Sequence, residues 1–132
     1  MKTVILASIF ALFTTTTFAQ GPPKYLQDSY PTHALQSALE ARGVLEGKDA
    51  QLNAKMRELI GLGVAAQIPC QYCVYAHTQN AREKGATDAE IREAVAAAAT
   101  VRQWSTVLNG MEVDFEAYKA ERAQRAATKA AN

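Results

Sequence analysis

The chain has only two cysteines in 132 residues, and both fall in one short stretch, Cys70-Gln71-Tyr72-Cys73. A bridge between them would close a very small loop. It would remove little entropy from the unfolded chain and be a poor staple. The pair therefore reads as chemistry first, although an inert bridge is the ordinary alternative in an oxidising compartment. Charge of one sign is also lacking: the net charge is +1. Nucleic acid and anionic membranes both call for a basic excess, so neither is expected as a partner. No long apolar run is present. The one from Val4 to Phe13 is too short to cross a bilayer comfortably, which argues against stable membrane insertion. Strand patterning, internal repeats and flavin, nucleotide or metal motifs are absent as well, so no cofactor is expected.

What is present at the start has the order of a secretory signal. Lys2 supplies one positive charge, the apolar run follows, and Thr17-Phe18-Ala19 offers a small residue at the cleavage position. Residues 1–19 are expected to be removed on export, to the periplasm or the exterior; an uncleaved anchor is the alternative. The removed piece carries one lysine and no acid, leaving a neutral chain long enough for one modest core. Association with copies of itself would help such a chain.

The remainder reads as all-α, with about five to six helices. Residues 20–30, with Gly21, Pro22 and Pro23, predict an extended leader. The domain proper covers 31–118. Ala34, Leu35, Ala38 and Leu39 recur at helical spacing up to Gly43. Asp49 is placed to cap a second helix, with Leu52, Met56, Leu59, Ile60 and Gly63 as its apolar stripe. Pro69 ends that helix and opens the next, which runs from about Cys70 to Lys84 with Gly85 as its stop. Thr87-Asp88-Ala89-Glu90 spells a capping box. An Ala-rich helix should follow from Ile91 to about Thr100, then a further one from Ser105 to Tyr118. Residues 119–132 form a charged, Ala-rich tail that is helix-prone but has little apolar face, expected to fray or to dock only on a partner.

Three reactive side chains share one helix face, because steps of three and four residues return to the same side: Cys70, Cys73 and His77. Unpaired N–H groups and the positive helix end favour a thiolate near Cys70. Cys73 is one turn before His77, and an imidazole at that distance can take a thiol proton. A second thiol three residues away can resolve a mixed disulfide. Zinc is the rival use of a Cys-x-x-Cys. It would need further ligands such as Glu58 or water, since the only other histidine, His33, lies in a different helix. Trp104, Tyr72 and Tyr75 could line a pocket, though aromatics at helical positions more often belong to a core or interface.

Glu58, eleven residues, then Cys70-x-x-Cys73-x-x-x-His77 resembles the signature of alkyl hydroperoxidase D and the wider carboxymuconolactone decarboxylase-like family. Arg57-Glu58-Leu59-Ile60, Lys84-Gly85-Ala86-Thr87 and Glu90-Ile91 extend the likeness over roughly residues 35–113. The resemblance implies an all-α subunit, a homo-trimer or homo-hexamer with sites near subunit contacts, and a dithiol–disulfide cycle without a metal. It implies that Cys73 is the activated thiol, His77 its base, Glu58 a relay carboxylate and Cys70 the disulfide partner. The substrate would be a small hydroperoxide, or a protein or small-molecule disulfide, with a separate thiol as electron donor. Tyr72 stands where alkyl hydroperoxidase D has a histidine, which weakens any role for a second imidazole. The Cys-x-x-Cys argues against the decarboxylase chemistry of other members. A non-enzymatic helical oligomer with an inert bridge or a Cys/His metal site is the reading from a different class.

Overall fold

Six helices and no strand form among residues 21–131, the residues described by this computed structural model. The fold is all-α, as expected. The expected signal peptide, residues 1–19, lies outside the described residues. The chain divides into two units, the first ending at Leu45 and the second beginning at Glu46.

In the first unit, the extended leader expected over residues 20–30 is in part helical: α1 spans Lys24–Ser29. Proline is compatible with a helix start because its missing N–H would be unpaired there anyway, and Pro23 takes the N-cap position. Lys24 and Asp28, four residues apart, pair at 2.6 Å. Helix α2, Thr32–Glu46, runs through Gly43 and buries Leu35.

The second unit is built on α3 (Ala54–Gln67), α4 (Gln71–Glu83) and α5 (Asp88–Gly110), with α3 packed against both others. Asn53, rather than Asp49, caps α3: its side chain accepts from the Met56 N–H at 2.8 Å. The α3–α4 corner is tight. The Ile68 N–H donates to Val64 O and the Cys70 N–H to Ala65 O, both at 3.1 Å. Pro69 between them has no N–H to satisfy. Gly85, at φ 82°, supplies the left-handed residue that ends α4, a conformation side chains disfavour. The capping box forms as read from the sequence. The Thr87 N–H donates to Glu90 Oε2 at 2.7 Å, and the Glu90 N–H to Thr87 Oγ1 at 3.1 Å.

Two expectations for this unit differ from what forms. No break separates Thr100 from Ser105, because no glycine or proline lies between Asp88 and Gly110 to impose one; α5 is a single helix of 23 residues. The chain turns instead at Met111–Asp114, and α6 covers Phe115–Ala131, so the expected tail is part of a helix. Every residue of α6 is exposed.

The core is small. Leu62, Ala81, Ala86 and Ile91 are buried together, with Leu59 and Val74 against them. Leu62 is the one large side chain wholly enclosed among the described residues, and burying a leucine contributes about 1.5–3 kcal/mol. The buried face of α3 matches the stripe read from the sequence only in part, through Leu59. Glu58, Leu62 and Ala65 are inside, whereas Leu52, Met56 and Ile60 are about half exposed. Helix α4 lies on the Glu58–Leu62–Ala65 side, which leaves part of the apolar stripe uncovered.

Candidate active site

Cys70 is the N-cap of α4 and Cys73 lies in its first turn. The two are joined as a disulfide, with Cα atoms 5.3 Å apart. The Cys73 N–H points to Cys70 Sγ at 3.3 Å, so the sulfur occupies the acceptor position that a serine or aspartate takes at other helix starts. Both cysteines are partly exposed, accessible to a reagent without lying open on the surface.

One turn further along α4, His77 meets Glu58 of α3. Their Nδ1 and Oε2 atoms are 2.7 Å apart. Glu58 is 9% exposed, and it is the only buried polar or charged residue among those described. A carboxylate offers acceptors only, so Nδ1 is the donor in this pairing, and in a neutral ring Nε2 would then carry the lone pair. The spacing therefore brings Cys70, Cys73 and His77 onto one stretch of α4, and the packing of α3 on α4 adds Glu58. His33, the other histidine, is exposed on α2 in the first unit.

Two further residues shape this site and were not singled out in the sequence. Asn80 donates through Nδ2 to the same Glu58 Oε2, at 3.3 Å. Its signal was periodic: Cys73, His77 and Asn80 stand at i, i+4 and i+7 on one helix stripe. Gly61 is the other. A Cβ at Gly61 would lie 2.5 Å from His77 Cε1 and 2.7 Å from Nδ1, so the imidazole occupies the space a side chain would fill. Its signal was a glycine in the interior of a helix, three residues after Glu58, where glycine costs about 1 kcal/mol relative to alanine.

The aromatic candidates face solvent more than any core. Tyr72 and Tyr75 are largely exposed, as is Trp104 on α5. Tyr75 borders a shallow cavity of 510 Å³ together with Ala66, Pro69, Gln71 and Thr78. A larger groove of 540 Å³ runs between α3 and α5 past Ile60, Gly63, Val64, Ala97 and Ala98. Among the described residues, no group of three or more His, Cys, Asp or Glu side chains is arranged to hold a metal ion. No helix among them is long and apolar enough to cross a membrane.

Residues 33–115, a stretch that contains both cysteines, His77 and Glu58, match the carboxymuconolactone decarboxylase family. The chain belongs to that family. The carboxymuconolactone decarboxylase family includes the alkyl hydroperoxidase D-like proteins. A Paracoccus denitrificans protein named uncharacterized protein 4 in cox locus is 37% identical to this member over 54 residues, 41% of this chain. The match spans about half of that relative, 49% of its length. No solved structure matches the chain.

Proposed function

We propose that this protein is a thiol–disulfide oxidoreductase that reduces hydroperoxides by cycling Cys70 and Cys73 between dithiol and disulfide. The observation that carries the reading is the Cys70–Cys73 bridge at the start of α4, one turn before an imidazole held by a buried carboxylate. A bridge of this span adds little stability, whereas a nearby base raises the reactive thiolate fraction.

In the reduced enzyme, His77 Nε2 takes the Cys73 proton. The Cys73 thiolate attacks one peroxide oxygen; an S–O bond forms, the O–O bond breaks, and the departing alkoxide takes the proton from His77 to leave as alcohol. The Cys70 sulfur then attacks the Cys73 sulfenic acid. The S–S bond forms, and the hydroxyl group leaves as water with the Cys70 proton. The Cys73 N–H directed at Cys70 Sγ favours negative charge on Cys70 during that attack. Two electrons and two protons from an external thiol pair restore the dithiol. A disulfide substrate would use the same site, with sulfur in place of peroxide oxygen.

The proposal extends to setting and assembly. The charged, apolar and small-residue order of residues 1–19 supports export with cleavage near Ala19. A small core and an open apolar groove between α3 and α5 support self-association, and the family resemblance makes a homo-trimer or homo-hexamer the proposed form. The test of the chemistry is consumption of an organic hydroperoxide with a small dithiol as reductant. The wild-type protein should turn over and Cys73→Ser should not; retained peroxide and disulfide turnover in that variant would reject the mechanism.

A further inference from the structure

Glu58 Oε2 is the meeting point of two donors from α4: His77 Nδ1 at 2.7 Å and Asn80 Nδ2 at 3.3 Å. Glu58 comes from α3 on a side chain with three rotatable bonds. Held by His77 alone, its carboxylate could swing about that single contact. Asn80 fixes the same oxygen from a second direction, so the carboxylate is registered against α4, the helix that also carries the thiols. We propose that Asn80 is a positioning residue that sets the tautomer of His77 by holding Glu58.

The amide orientation follows from the chemistry. Turned over, Asn80 would set its carbonyl oxygen against a carboxylate oxygen, two acceptors with no proton between them. With the N–H₂ side facing Glu58, both contacts are hydrogen bonds and Oε2 accepts twice. Glu58 is 9% exposed, so little water is available to replace a missing donor. Asn80 and His77 are only partly buried, and α4 can therefore accept substitutions at Asn80 without opening its core. Asn80 thus acts on Cys73 indirectly. It holds Glu58, Glu58 holds the proton on Nδ1, and Nε2 remains the basic nitrogen. The consequence for thiol chemistry rests on the proposed dithiol cycle, whereas the tautomer itself does not.

Nitrogen-15 NMR of the His77 ring in the full chain, at a pH where the imidazole is neutral, tests the inference directly. An unconstrained histidine in water favours the proton on Nε2. The wild-type protein should show the Nδ1–H form, and Asn80→Gln, which keeps an amide donor, should preserve it. Asn80→Leu keeps the branched shape and removes the donor, and Asn80→Ala removes both. Each should bring the Nε2–H form up to a comparable population. Alkylation of reduced Cys73 at neutral pH should slow about tenfold in both, in line with loss of one hydrogen bond to a charged group. An Nδ1–H signal unchanged in Asn80→Leu and Asn80→Ala would overturn the role of Asn80. A wild-type protein that consumes no peroxide would overturn the proposed function and leave the ring spectrum as an independent result.

Discussion

On the side of α3 that meets α4, Leu62 and Ala65 are buried beside Glu58, and Gly61 leaves a space that the His77 ring fills. On the side that meets α5, Gly63 leaves a gap of a different kind. A Cβ there would lie 3.5 Å from Ala98 Cβ, an ordinary contact. The α5 side is tied by polar links: Lys55 to Glu90 at 2.7 Å, Gln67 Nε2 to Ala98 O at 2.8 Å, and Arg102 Nε to Gln67 Oε1 at 2.8 Å. Ile60 and Val64 remain about half exposed along it. One helix thus has a filled face, where apolar packing encloses a hydrogen-bonded polar pair, and an open face, where polar links leave an apolar groove. The difference accounts for where the Glu58–His77 pair sits. A buried carboxylate needs the filled face, because partial burial without partners is costly.

Mutations can separate the two faces. Leu62→Ala should have the largest effect on stability, a loss of about 2–5 kcal/mol for a leucine deleted from a core, read as a lower denaturant midpoint. Gly61→Ala should next separate folding from activity. The new Cβ displaces the imidazole, so the His77–Glu58 contact is lost and turnover should fall by about 10²-fold, the scale of a lost general base. Secondary structure measured by circular dichroism should persist in that variant.

Gly63→Ala, two residues away, should do the opposite. Its Cβ meets no obstacle, and replacing a helical glycine stabilises by up to about 1 kcal/mol; the thermal midpoint should rise with turnover unchanged. Equal loss of activity in the two glycine variants would erase the distinction between the faces.

The smallest effect belongs to the link between α3 and α5. The Lys55 ammonium, followed by the Thr87 backbone N–H, holds the Glu90 carboxyl down to about 2 from its ordinary 4.5. A depressed folded-state pKa stabilises above the unfolded value, and that contribution is lost as pH falls from about 4.5 through about 2. Glu90→Gln should therefore flatten the acid limb of a stability–pH curve in that window. Because the pair is partly open to solvent, the change should also shrink at high salt.

Features with local causes were legible in the sequence. The Thr87–Glu90 capping box and the Gly85 stop depend on neighbours within a few residues, and both form where expected. The placement of Cys70, Cys73 and His77 on one helix followed from spacing alone. Glu58 did not: nothing in its local sequence separates a buried glutamate from an exposed one, and its role as relay carboxylate was implied only by the family resemblance. Asn80 and Gly61 escaped because each matters through a residue on a facing helix. The continuity of α5 was missed for a related reason. No glycine or proline marks a break after Thr100, and Arg102, between the two expected helices, is held by Gln67, 35 residues earlier. The partial exposure of Met56 and Ile60 likewise depends on which side of α3 receives α4, a tertiary choice that periodicity does not encode.

If the Cys70–Cys73 pair cycles as proposed, its reduction potential must lie where both states are reached. Equilibration in glutathione buffers followed by thiol trapping should give a value within about −120 to −270 mV, the span of known redox enzymes. A value well below about −300 mV, or a pair that never forms a disulfide across those buffers, would contradict the account and return the cysteines to a structural or metal-binding role.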